Sequence, residues 1–220
     1  MRITALKYGQ STIPSSMAFA GSCDSDRYDI SFTVYLIETA ERRILIDAGC
    51  VTMPGWDMKY FESPSVILSR FGLSPEEITD VILTHSHHDH AQASVYFTSA
   101  TFYVQREEYA GCRKFIPSDC RVVLFDDECE IAEGIKAVRI SGHSVGSSIV
   151  VACNGEKNYV FCGDECYTRK NLTDCLPTGS YFSLDNAIGF VEKYGSNDFE
   201  MLLAHDFSIL PDANGFVRIV

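Results

Sequence analysis

Val81-Ile82-Leu83-Thr84-His85-Ser86-His87-His88-Asp89-His90 is the stretch on which the reading of this chain turns. A short apolar run ends, and four histidines and a carboxylate follow within six residues. Imidazole nitrogens and carboxylate oxygens are the donors that zinc and its divalent neighbours take most readily. Val81 to Leu83 reads as a buried strand, and Ala91 to Phe97 as the start of a helix. His85 and His87, two apart, can point the same way as the strand runs out. Asp89 and His90 fall on the turn into the helix and can reach a second point nearby. That spacing suits two adjacent metals better than one. The plainer alternative is a polar loop that happens to be rich in histidine; an expression tag would sit at a terminus, which this run does not.

Working outward, 220 residues can bury a substantial core as one domain, 1–220. A hydrophobic share of 46% and a charged share of 22% are ordinary for a soluble globular protein. The net charge of −12 disfavours nucleic acid or an anionic membrane surface as a partner. Nine cysteines, odd in number and spread along the chain without a Cys-x-x-Cys pair, read as reduced thiols rather than a disulfide scaffold. With no leader-like N-terminus and no apolar run of spanning length, the expected location is the cytoplasm.

Residues 1–9 alternate loosely as an edge strand, and Ser11 to Arg27 reads as a loop long enough to have a task such as covering a site. Ile30 to Glu38 and Arg43 to Asp47 predict a hairpin, closed by a glycine turn at Asp47-Ala48-Gly49. Val51 to Pro64 is irregular; its aromatics, Trp56 among them, suit core filling or the lining of a pocket. Ser65 to Phe71 predicts a short helix, and Ser74-Pro75-Glu76-Glu77 a capping box. A strand at Thr101 to Val104 and a short helix near Arg106 to Ala110 follow the histidine-rich stretch. Several β-rich runs lie between Arg121 and Val160. Ser183 to Tyr194 predicts an amphipathic helix with Leu184, Ala187, Ile188, Val191 and Tyr194 on its apolar face and Gly195 as its stop. Glu200 to Ala204 and Phe216 to Val220 read as closing strands. Strands mixed with helices imply a single α/β unit.

The spacing His-x-His-x-Asp-His resembles the signature of the metallo-β-lactamase superfamily, and the resemblance covers most of the chain. Further elements appear in that family's order: Asp47 in Ile44-Leu45-Ile46-Asp47-Ala48-Gly49, His143 in Ser141-Gly142-His143-Ser144, Asp164 in Cys162-Gly163-Asp164 and His205 in Leu203-Ala204-His205-Asp206. Of six histidines, five fall on family ligand positions; His88 is the exception and reads as an outer or exposed residue. The resemblance implies an αββα sandwich of two mixed β-sheets flanked by helices, with the metals in a cleft at one edge. It also implies that His85, His87 and His143 hold one metal, that Asp89, His90 and His205 hold the other, and that Asp164 bridges them. Relatives with a di-iron centre usually carry glutamate where His87 stands, so the implied cofactors are two divalent ions, zinc above others. Asp47 has no ligand role; it either accepts an imidazole N–H and fixes that ring or simply caps a strand-end turn.

Within the superfamily, Asp164-Glu165-Cys166-Tyr167-Thr168-Arg169 resembles the N-acyl-homoserine lactone lactonases. So do Phe102-Tyr103-Val104-Gln105-Arg106-Glu107-Glu108-Tyr109 and Phe71-Gly72-Leu73-Ser74-Pro75. The segment from Cys50 to Pro64 is shorter than its counterpart there, and Ser11–Arg27 has no residue-by-residue match. The resemblance implies a dinuclear hydrolase that opens a lactone or related ester of a small-molecule substrate by attack of a metal-bridging hydroxide. Tyr167 would donate to the oxyanion or leaving alkoxide, and Asp89 or Asp164 would pass the proton. Tyr167 packed beside the cleft with its hydroxyl on a carbonyl is the plainer alternative. A glyoxalase II-like thioester hydrolase and a non-catalytic metal-binding regulatory protein are the competing functions. The oligomeric state is open, a homodimer being one option. Cys162 and Cys166, which flank Asp164, read as buried small hydrophobes.

Overall fold

The period-two pattern of the strands is what builds the layers. In a computed structural model, which describes residues 1–155, 157–195, 198–209 and 214–220, Ile3, Ile44, Ile46, Ile82 and Tyr103 point to one face of a sheet. Leu6, Leu45, Val81, Leu83 and Phe102 point to the other. Both faces are buried, which is why these strands read as nearly unbroken apolar runs.

The chain begins with β1 (Arg2–Pro14), α1 (Ser15–Ala18), β2 (Arg27–Glu38), β3 (Arg43–Ile46) and α2 (Pro64–Phe71). β4 (Asp80–Leu83), α3 (His88–Ala91), β5 (Thr101–Gln105), α4 (Tyr109–Cys112) and β6 (Val122–Phe125) follow. Then come β7 (Glu128–Ala132), β8 (Ile135–Arg139), β9 (Ser148–Asn154), β10 (Lys157–Phe161), α5 (Arg169–Thr173), α6 (Leu184–Tyr194), β11 (Phe199–Leu202) and β12 (Phe216–Arg218). A seven-stranded sheet has the order β12-β1-β2-β3-β4-β5-β6, and a five-stranded sheet the order β11-β10-β9-β8-β7. Both are mixed: β3 to β6 run parallel, as do β10 and β11, while the other pairings are antiparallel.

The inner faces meet in a core that includes Ile37, Ile46, Ile82, Val150, Phe161 and Leu202. Ile67, Leu68 and Phe97 cover the outer face of the larger sheet, and Phe190, Val191 and Tyr194 of α6 cover that of the smaller. This is the expected αββα sandwich with two mixed sheets.

Four expectations need correction. The first strand is not at the edge, because β12 pairs outside it at Thr4 to Leu6. Nor is Ser11 to Arg27 all loop: β1 continues to Pro14, which pairs with Arg27 after a register shift between Lys7 and Gly9. Inter-strand pairing overrides the weak strand propensity of Gly9, Gln10 and Ser11. On α6, Leu184 and Ile188 are exposed, and Phe190 joins Ala187, Val191 and Tyr194 on the buried side. The helix after the histidines also differs: α3 is a single turn that tightens to a 3-10 turn at Gln92–Tyr96.

Candidate metal centre

Strand ends deliver the site. β3 runs into Asp47, β4 into His85 and His87, β10 into the short turn holding Asp164, and β11 into His205. Asp89 and His90 stand on α3, and His143 lies in the loop between β8 and β9. The structure gathers all of them except Asp47 into two neighbouring groups. His85, His87, His143 and Asp164 form one, and Asp89, His90 and His205 the other; within each, ligand atoms lie within 4.8 Å of one another.

Asp164 stands between the two. Its Oδ1 is 2.9 Å from both His90 Nε2 and His205 Nε2, while Oδ2 is 3.3 Å from His143 Nε2 and 3.7 Å from His85 Nε2. Asp89 Oδ2 adds contacts of 3.5 and 3.7 Å to His90 and His205. Burial opposes charge on His85, His90, His143, His205 and Asp164, but the carboxylates are unevenly shared. His90, beside Asp164, Asp89 and Asp47, is raised well above the usual imidazole range. His85 is held well below it by burial and the neighbouring His90.

Each buried ring has its far nitrogen engaged. His90 Nδ1 donates to Asp47 Oδ2 at 2.7 Å, and His205 Nδ1 to the Ser31 carbonyl at 2.8 Å. His143 Nδ1 donates to the Ser180 carbonyl, and His85 Nδ1 lies 3.1 Å from Thr84 Oγ1. Those partners set the tautomers and leave Nε2 free to face inward. His87, the exposed member, instead turns Nδ1 toward His143 Nε2 at 3.0 Å.

These donors fit a divalent metal pair. His85 Nε2, His90 Nε2 and Asp164 Oδ1 are buried without a hydrogen-bond partner. The 2.9 Å approach of His90 to Asp164 is close, but it is not aligned as a hydrogen bond. Unsatisfied buried groups cost about 1–3 kcal/mol each, and converging lone pairs on nitrogen and oxygen are what a divalent cation relieves.

A cleft of about 220 Å³ opens over the two clusters, lined by Met17, Ile30, Phe32, Trp56, Ser180 and Tyr167 beside side chains of both. Met17, on α1 within the Ser11–Arg27 stretch, is among the residues lining this cleft. Trp56 lines the cleft and also packs edge-on against Phe32 at 6.0 Å. The Tyr167 ring stands 4.8 Å from that of His205 and 6.1 Å from that of His143, with its hydroxyl toward Asp164 and Ser180. Cys162 and Cys166 are fully buried, and burial raises both thiols. His88 faces away, donating Nε2 to the Thr52 carbonyl at 2.8 Å.

Sequence reasoning missed the residues behind the two clusters. Tyr8 donates to the Asp89 carbonyl at 2.6 Å. Thr84 gives both its N–H and its hydroxyl to Asp47. Glu165 accepts from the backbone of Gly142 and His143 and from the Ser147 hydroxyl, and burial pushes its carboxyl up to about 7. Glu108 accepts from Ser86, Ser144 and Gly146. A Thr before the first ligand was visible; the two glutamates carried no signal.

The model of the metallo-β-lactamase superfamily matches residues 33–188. The chain belongs to the metallo-β-lactamase superfamily. An N-acyl homoserine lactonase of Bacillus cereus is 25% identical over 200 residues, 74% of this chain and 80% of the relative. Among solved structures, an N-acyl homoserine lactone hydrolase with N-hexanoyl-L-homoserine at its catalytic metal centre aligns with a TM-score of 0.81. The alignment covers 94% of this chain and 93% of that one at 21% identity. AidC, a dizinc quorum-quenching lactonase, aligns with a TM-score of 0.73 over 99% and 93% of the two chains at 16% identity. At such identities the structural likeness speaks for the fold. Family membership and the His/Asp cluster together make this superfamily member a metal-dependent hydrolase. Among the described residues, no helix is long and apolar enough to cross a membrane.

Proposed function

We propose that this chain, as a single domain over 1–220, is a dinuclear zinc lactonase acting on a small-molecule lactone of the N-acyl-homoserine type. The observation that carries the reading is Asp164, set between a three-histidine cluster and an Asp89–His90–His205 cluster under the Tyr167 hydroxyl. His85, His87 and His143 would hold one ion, and Asp89, His90 and His205 the other, with Asp164 shared. Two such ions supply an activated water and polarise the substrate carbonyl.

The protein's own groups do the rest. Asp47 and the Ser31 and Ser180 carbonyls hold the imidazoles in orientation. Tyr167 is buried and, with Asp164 and Asp89 nearby, kept protonated well above the usual phenol range, so it remains a donor. Its hydroxyl would donate to the carbonyl charge that grows in the transition state. Asp89, the more exposed carboxylate, would take the proton lost by the attacking water and pass it to the ring oxygen as the lactone C–O bond breaks. Met17, Ile30, Phe32 and Trp56 offer an apolar wall to an acyl group.

The relatives' names favour a lactone over the thioester alternative and over a regulatory role. The nine free cysteines support a reducing compartment, the cytoplasm. The test is turnover by zinc-loaded protein of N-acyl γ-lactones with short and long acyl chains beside a thioester. Preference for the thioester would reject the lactonase reading.

A further inference from the structure

The three histidines of the first cluster hang on two stretches of irregular backbone. His85 to His87 turn between β4 and α3, and His143 sits in the loop between β8 and β9. Glu108, on the turn ahead of α4, reaches both. Its Oε2 accepts from the Ser86 N–H at 2.9 Å and the Ser86 hydroxyl at 2.5 Å. Its Oε1 accepts from the Ser144 hydroxyl at 2.7 Å and the Gly146 N–H at 2.9 Å. One oxygen serves each loop. Ser86 lies between two of the histidines, and Ser144 follows the third.

The residue is only 3% exposed, and a carboxylate is costly to bury unless donors meet it. Here four do, and bonds to an ionised acceptor are roughly twice as strong as neutral ones. Burial pushes the carboxyl up, yet the bonds from Ser86, Ser144 and Gly146 outweigh it and hold the pKa below the usual value. Space is reserved for the arrangement. A Cβ on Gly146 would come within 2.9 Å of Glu108 Cγ, and one on Gly111 within 2.5 Å of Ser86 Oγ. Glu108 has no hydrogen bond to an imidazole. What it fixes is the separation of two loops whose rings meet at 3.0 Å, His87 Nδ1 to His143 Nε2.

We propose that Glu108 is a positioning residue for the first metal cluster, spacing the His85–His87 turn from the His143 loop so that three histidines meet one cation. The inference rests on the two-metal reading above. Asp89, His90 and His205 stand on α3 and beyond β11, which Glu108 does not bond, so its influence should be confined to one site.

The experiment is a chelator-competition titration of zinc on the full chain, wild type beside Glu108→Gln. His143→Ala and His205→Ala mark which step belongs to which cluster. The carboxamide keeps the size of the side chain but turns an NH2 group toward donors on one loop. The expected result is a ~10–100-fold weaker step at the His143-marked site, the usual cost of losing an outer partner, with the other step unchanged. Both steps weakened alike would mean general loosening and overturn the proposal, as would no change in either. A single step in the wild type would overturn the two-metal reading and this inference with it. Should Glu108→Gln fail to fold, Ser144→Ala removes one of the four bonds and should give the same one-sided pattern, smaller in size.

Discussion

Asp47 Oδ2 lies 2.7 Å from His90 Nδ1, and the same oxygen takes the Thr84 hydroxyl at 2.9 Å. Thr84 Oγ1 is in turn 3.1 Å from His85 Nδ1. One carboxylate therefore orients a ring of the second cluster directly and a ring of the first through a threonine. Asp47 does so from a backbone at φ 59°, a region that Asn and Asp tolerate better than most residues.

Asp47→Asn is for that reason a clean substitution, because it keeps the size and suits the backbone. Its amide oxygen can still accept from Thr84, but its NH2 must then meet the His90 N–H. We expect an unchanged fold by circular dichroism and a ~10–100-fold loss in metal affinity or turnover. Wild-type values for both would reduce Asp47 to a turn residue.

Asp164 contacts four imidazoles, two through each oxygen. Its removal should therefore disturb both clusters. Elemental analysis of protein prepared without chelator should give about two divalent ions per chain in the wild type and fewer in Asp164→Ala. Equal metal content in the two proteins would contradict a bridging carboxylate.

Four members of the two clusters, His85, His87, Asp89 and His90, were legible because they sit within six positions of one another at a strand end, whereas His143, Asp164 and His205 were placed only by the family resemblance. The layers were legible for the same reason: Leu45 and Ile46, or Ile82 and Leu83, go to opposite faces whatever else happens. What could not be read depends on partners far away in sequence. Gly9 to Thr12 form strand only because β2 lies alongside. On α6, Leu184 and Ile188 satisfy a helical period as well as Phe190 does, and only the position of the sheet decides which is buried. Glu108 and Ser144 are 36 residues apart, and nothing local marks a glutamate that will be buried.

Gly179 is a further residue that only the structure explains. A Cβ there would fall 1.6 Å from the Ser16 carbonyl oxygen, a backbone atom that cannot swing away. The N–H groups of Gly179 and Ser180 both donate to the Met17 carbonyl, and the Ser180 carbonyl orients His143. Gly179→Ala should push this segment off α1, at the ~1–3 kcal/mol typical of overpacking. It should also weaken metal binding at the His143 site. Calorimetry of the metal-free protein and zinc titration of the variant are the checks. A Tm and an affinity both equal to wild type would show that the segment relaxes without cost.

Tyr167→Phe separates a tyrosine-assisted lactonase from a metal centre that needs no further donor. The ring packs against His205 at 4.8 Å and is buried, so phenylalanine preserves the packing and removes only the hydroxyl that faces Asp164 and Ser180. Loss of one preorganised donor to an oxyanion costs about 10²–10³ in kcat in a well-studied protease, and metals sharing the charge should soften that. We expect a kcat loss on the order of 10-fold or more, with metal content unchanged. An interaction confined to the transition state lowers kcat and kcat/KM together, whereas a ground-state contact raises KM alone. The comparison should therefore be made on lactones of several acyl lengths, under saturating and limiting substrate. Full turnover of every lactone by Tyr167→Phe would leave the tyrosine as packing and return the catalytic burden to the metals and Asp89.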